Sequence, residues 1–182
     1  MNIKEKQLNY EYLYKGKIIN LRRDEALLPD GTTALREVVE HNGGVCVLAI
    51  TDDEEILFVR QFRYPYFEEI LEIPAGKRNS LTEDPFECGK RELLEETGAV
   101  AKDYLFLGEL YPTPGYCGEK IWLYAAKNLT FQNPCPDDDE FLEIERISLK
   151  KAVDMVLSGE IKDAKTQAAI LKVKLLRDEG KF

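Results

Sequence analysis

The chain has 182 residues, 44% hydrophobic and 32% charged, a balance that suits a soluble globular domain with a sizeable core. Its net charge of −9 speaks against a nucleic-acid-binding surface, which needs clustered Lys and Arg. No stretch approaches 18 apolar residues and the first residues lack an apolar leader core, so no membrane association is expected. Cys46, Cys88, Cys117 and Cys135 are scattered without a Cys-x-x-Cys pair, which predicts reduced thiols and a cytoplasmic protein.

Taken in chain order, residues 8–14, 18–28 and 33–41 read as strands, the last two joined by the turn Pro29-Asp30-Gly31. They make residues 1–42 an N-terminal antiparallel β region, in which Tyr10, Tyr12 and Tyr14 alternate onto one strand face. The lone histidine, His41, ends this region and reads as structural. Residues 45–50 and 56–62 are apolar, β-branched runs either side of Thr51-Asp52-Asp53-Glu54-Glu55, and they predict a hairpin with one buried face. A short strand at 70–73 leads into Ile73-Pro74-Ala75-Gly76. Asp84 before Pro85 is a helix start and Gly98 a helix stop. Strands follow at 104–110 and 120–126, an acidic turn at 134–139 and a strand at 142–147. Ser148 caps a helix to Leu157, and Asp163 or Thr166 opens a last one to Arg177. Strands before and after a central helix predict a mixed sheet between helical layers over residues 43–182.

The helix after Asp84 carries the chemistry. Glu92, Glu95 and Glu96 are spaced by three and four, so about 3.6 residues per turn gathers them on one side. Like charges at that spacing repel by a few tenths of a kcal/mol per pair. A hard divalent cation with oxygen ligands reverses the sign of that cost. With no Cys or His nearby, Mg²⁺ is favoured, with Mn²⁺ as a substitute. Such ions assist hydrolysis of a diphosphate linkage.

Gly76, Glu83, Arg91, Glu92, Glu95, Glu96 and Gly98 together resemble the signature of the Nudix hydrolases. That signature is a glycine, five residues, a glutamate, seven residues, then Arg-Glu-apolar-any-Glu-Glu-any-Gly-apolar. Here six residues, 77–82, separate Gly76 from Glu83. Gln61-Phe62-Arg63, the run 71–76, Pro114-Gly115 with Glu119, and Asp163-Ala164-Lys165-Thr166 further resemble the ADP-ribose pyrophosphatases, with Thr113 where Ser is common.

The resemblance implies a Nudix-type α/β/α sandwich. It implies that Glu92, Glu95 and Glu96, with the carbonyl of Ala75, ligate Mg²⁺ while Arg91 holds the helix by pairing with Glu83. It implies Mg²⁺-dependent hydrolysis of ADP-ribose to AMP and ribose 5-phosphate. A homodimer with exchanged N-terminal strands is implied too, which would place Arg36 in the partner's site. A late loop carboxylate would approach the attacking water; Asp137, Asp138, Asp139 and Glu140 are on offer, and Glu140 is carried forward with Asp138 beside it.

The side chains suit these assignments. Arg36 and Arg63 are guanidinium groups that can grip phosphate oxygens, and Glu119 can accept from ribose hydroxyls. Each arginine would equally suit a surface ion pair, and Pro114-Gly115 a plain turn. Two alternatives stand beside the main expectation: hydrolysis of another nucleoside diphosphate sugar, and a non-catalytic sensor that binds one.

Overall fold

The computed structural model describes residues 2–136 and 141–182. The chain falls into two units, one formed by residues up to Gly43 together with Tyr111–Lys120, the other by Gly44–Leu110 and Ile121–Phe182.

In the first unit β1 (Lys6–Lys15), β2 (Asn20–Leu27) and β3 (Thr33–Glu40) form an antiparallel sheet in the order β1-β2-β3. Gly31, at φ 88°, takes the left-handed backbone that the β2–β3 turn requires. The later segment docks on β3: Val39 N–H donates to the Tyr116 carbonyl at 2.8 Å, and Gly118 N–H to the Val39 carbonyl at 2.8 Å. β1 is exposed along its whole length, and Tyr10, Tyr12 and Tyr14 are exposed with it.

The second unit contains β4 (Gly44–Ala49), β5 (Glu55–Arg63), β6 (Glu68–Glu72), β7 (Ala75–Lys77), α1 (Pro85–Thr97), β8 (Ala99–Leu110), β9 (Ile121–Phe131), β10 (Leu142–Ser148), α2 (Leu149–Ser158) and α3 (Ala164–Asp178). One sheet has the order β7-β4-β9-β8, with β4 and β9 parallel and the other neighbours antiparallel; the other has the order β10-β5-β6. It is a mixed sheet architecture with helices, as the order of elements predicts.

The expected hairpin between residues 45–50 and 56–62 does not form. β4 and β5 lie in different sheets and share only the bridge between Ile50 and Ile56. Every residue of β4 is buried, so neither of its faces is the solvated one a simple hairpin would have. Cys46, Leu48 and Ile50 pack with Ala152, Met155, Ala169, Ile170 and Val173 of α2 and α3. Val47 and Ala49 pack on the opposite face with Leu93 of α1. One strand thus separates two helical layers. The Gly76 turn is itself the short strand β7, paired with β4 through Val45.

α1 begins and ends where its capping residues predict. The Asp84 carboxylate accepts from the Phe86 and Glu87 amides at 2.9 and 3.1 Å, and Gly98 closes the helix at φ 70°. Asp163 rather than Thr166 caps α3, its carboxylate accepting from the Thr166 amide at 2.9 Å. Thr166 is fully buried, and its hydroxyl accepts from the Ile73 amide at 3.0 Å.

Candidate active site

α1 presents its acids to β7. Glu92 and Glu96, one turn apart, are only 8% and 4% exposed. Gly76 makes room for the first: a Cβ there would fall 1.9 Å from the Glu92 carboxyl carbon. The Ala75 amide donates to Glu96 at 3.0 Å. Only a residue without a side chain lets Glu92 lie flat on the β7 backbone, and that backbone orients Glu96.

Arg91 ties the acids together. Its guanidinium lies 2.8 Å from Glu92, 2.8 Å from Glu95 and 3.3 Å from Glu83. Three carboxylates around one guanidinium leave two formal negative charges. Burial opposes the charge on Arg91, but Glu92 and Glu95 prevail and raise its pKa. Cys88, one turn earlier, accepts from Arg91 at 3.4 Å; burial pushes its thiol up to about 12, so it stays protonated.

Among the described residues, no three carboxylate, imidazole or thiol groups are drawn into a closed ligand set. Arg91 occupies the space between Glu92 and Glu95. The donor set nonetheless fits a hard divalent cation. It is made of carboxylate oxygens, two of its members are buried beside a glycine cradle, and its excess charge is what such an ion neutralises.

A second charged cluster lies on the sheet beside these acids. Arg63, at the end of β5, grips Glu72 of β6 with Nε at 2.6 Å and Nη2 at 2.7 Å. Lys165 of α3 donates to the same carboxylate and lies 3.1 Å from Asp163. Burial alone would raise the Glu72 pKa, yet the Arg63 hydrogen bonds and the Lys165 charge hold it at about 2. Glu96 also stabilises the charge on Arg63, which links the cluster to the helix.

The remaining residues proposed from sequence sit as follows. Arg36 is exposed on β3, gripping Glu5 at 3.0 and 2.7 Å. Glu119 approaches His41 Nδ1 at 3.4 Å, but that nitrogen accepts from the Gly43 amide at 3.0 Å. The contact is therefore not a hydrogen-bonded ion pair. Thr113 closes a turn over Pro114-Gly115, its carbonyl accepting from the Cys117 amide at 3.0 Å. Glu140, with Asp137, Asp138 and Asp139, lies outside the described residues. Sequence reasoning missed the pairing of Glu72 with Arg63 and Lys165, and the burial of Arg78 under the loop after Gly76. A charged residue inside an otherwise apolar run, such as Glu72 between Leu71 and Ile73, was the signal that could have found the first.

Residues 40–170 match the model of the NUDIX domain, and residues 5–39 match that of the nucleoside diphosphate sugar hydrolase N-terminal domain. The chain belongs to the Nudix hydrolase family. It is 39% identical to the ADP-ribose pyrophosphatase of Bacillus subtilis (strain 168), over 96% of this chain and 95% of that protein. It is 37% identical to the methanol dehydrogenase activator of Bacillus methanolicus, over 94% of this chain and 93% of that one. A solved structure described as the crystal structure of ADP compounds hydrolase superposes with a TM-score of 0.84, covering 98% of this chain and 97% of its own. At 23% identity that likeness is one of fold.

Proposed function

We propose that this chain hydrolyses the diphosphate bond of ADP-ribose with Mg²⁺, giving AMP and ribose 5-phosphate. The observation that carries the reading is the burial of Glu92 and Glu96 against the Ala75–Gly76 backbone, beside an arginine shared by three carboxylates. One arginine among three carboxylates leaves a net negative charge that a divalent cation would balance.

Glu92, Glu95, Glu96 and the Ala75 carbonyl would hold Mg²⁺, and Mn²⁺ in its place. The ion, when bound, supplies charge neutralisation on the diphosphate and lowers the pKa of water. Arg91, paired with Glu83, would hold Glu92 and Glu95 in position beside the ion. Arg63, with its Nε–Nη2 edge on Glu72, would receive a phosphate oxygen on its remaining edge. Glu119 would accept from a ribose hydroxyl. Glu140 would take the proton as water oxygen bonds to phosphorus and the bridging P–O bond breaks.

The reading extends to assembly and place. The exposed β1, with its three tyrosines, supports a homodimer built on the β region of residues 1–42, with the Nudix domain at 43–182 and Arg36 serving the partner's site. Four free cysteines support a reducing, cytoplasmic setting.

Relatives with two different names match this chain almost equally well, so identity does not choose the substrate. A second reading, hydrolysis of another nucleoside diphosphate sugar, follows from the match of residues 5–39. Side-by-side turnover of ADP-ribose, GDP-mannose and UDP-glucose with Mg²⁺ separates the two. A preference for ADP-ribose supports the first reading; a preference for another sugar replaces it with the second. Tight binding without turnover would make the chain a sensor.

A further inference from the structure

The connection from Gly76 to Glu83 is one residue longer than the Nudix signature, yet Glu83 still meets Arg91 at 3.3 Å. The loop is wound around Arg78, a charged residue only 8% exposed. Its guanidinium stacks on Trp122 of β9, 4.8 Å from the ring centre. Nε and Nη2 donate to the Glu83 carbonyl at 2.8 and 2.6 Å, and Nη2 also donates to the Leu81 carbonyl at 2.6 Å. Glu83 is then fixed at both ends: its carbonyl by Arg78, its carboxylate by the Asn79 amide and by Arg91. The next residue, Asp84, is the cap of α1.

We propose that Arg78 is a positioning residue that takes up the extra loop residue and delivers Glu83 to Arg91, so setting Glu92 and Glu95 for the cation. A guanidinium is costly to bury, and five fixed donors let it gather several carbonyls where lysine would act as a point charge. The inference rests on the reading of Glu92, Glu95 and Glu96 as cation ligands. Its mechanical half, the fixing of Glu83, does not.

The test compares the wild-type chain, Arg78→Met, Arg78→Lys and Glu83→Gln with two double variants. One joins Arg78→Met to deletion of Leu81, which is 72% exposed, restoring the five-residue spacing. The other joins Arg78→Met to Glu83→Gln. Binding of Mn²⁺ to the protein alone is measured by calorimetry, and amide exchange is followed at Asn79 and Glu83. Arg78→Met is expected to weaken Mn²⁺ binding by about 10- to 100-fold, the usual cost of losing support behind a ligand. It is also expected to unprotect both amides. The Leu81 deletion should recover most of the affinity, and Arg78→Met/Glu83→Gln should bind no worse than Glu83→Gln. Should Arg78→Met fail to fold, Arg78→Lys carries the same expectations, since it keeps the charge and loses the fork. Unchanged binding and protection would overturn the proposal. So would a loss that the deletion leaves in place and that adds fully to that of Glu83→Gln, for Arg78 would then only pack on Trp122. A wild-type chain that takes up no Mn²⁺ would bring down the cation reading instead, with amide exchange still deciding whether Arg78 fixes Glu83.

Discussion

Gly76 lies flush against Glu92, so that a single added methyl group on its Cα would fall 1.9 Å from the carboxyl carbon. The glutamate side chain can swing away at little energetic cost, but only by leaving its place on β7. Gly76→Ala is therefore predicted to cut turnover about a hundredfold, the scale of a 1 Å misplacement, while lowering Tm by only a few degrees. Steady-state kinetics beside a thermal melt check this. An active Gly76→Ala variant would mean that the position of Glu92 does not matter.

Thr166 and Ile73 couple α3 to the strand that leads into the glycine turn. Both are fully buried, and the Thr166 hydroxyl accepts from the Ile73 amide at 3.0 Å. Thr166→Val keeps the shape and orphans that amide, which costs about 1–3 kcal/mol. Urea unfolding should show the loss as a lower midpoint at unchanged slope. An unshifted midpoint would show that the amide finds another acceptor.

Glu72 links stability to pH. Its folded pKa of about 2 lies below the ordinary 4.5, so its ion pairs stabilise the fold above pH 4.5. That contribution fades as pH falls from 4.5 through about 2, and it amounts to something on the order of 3 kcal/mol. Glu72→Gln should be less stable than the wild-type chain at pH 7, with the gap narrowing by pH 3. Urea midpoints at the two pH values measure it. A gap that stays constant would contradict the assignment.

Lys165 shares Glu72 with Arg63. Removing the ammonium leaves Glu72 to Arg63 alone, which draws the guanidinium away from an incoming phosphate. Lys165→Met, which keeps the apolar stem, is predicted to raise KM about tenfold, equivalent to about 1.4 kcal/mol, with a smaller change in kcat. A fall in kcat at constant KM would assign Lys165 a different part.

Much of this arrangement could be read from local pattern. The caps Asp84 and Gly98, and the spacing of Glu92, Glu95 and Glu96, lie within one helix, so local rules bound them well. The fate of residues 45–50 and 56–62 was not legible, because an apolar run carries no mark of which sheet it joins. The cluster of Arg63, Glu72 and Lys165 draws on strands and a helix some hundred positions apart. The one local mark is Glu72, a charge between Leu71 and Ile73, and it does not say which residues come to meet it. Arg78 was hidden for a related reason: its partners are backbone carbonyls and a ring on β9, and neither leaves a trace in side-chain pattern.

The central claim is that Glu92, Glu95 and Glu96 hold a divalent cation for diphosphate hydrolysis. It is tested most directly by ADP-ribose turnover across a Mg²⁺ titration, wild-type chain against Glu95→Gln. Glu95 is partly exposed and its side chain meets Arg91, so the amide should leave the fold intact. The prediction is strict dependence on Mg²⁺ in the wild-type chain and a loss of about a thousandfold in the variant, about 4 kcal/mol of barrier, at near-equal Tm. Near-normal turnover by Glu95→Gln, or full wild-type turnover in chelator, would contradict it.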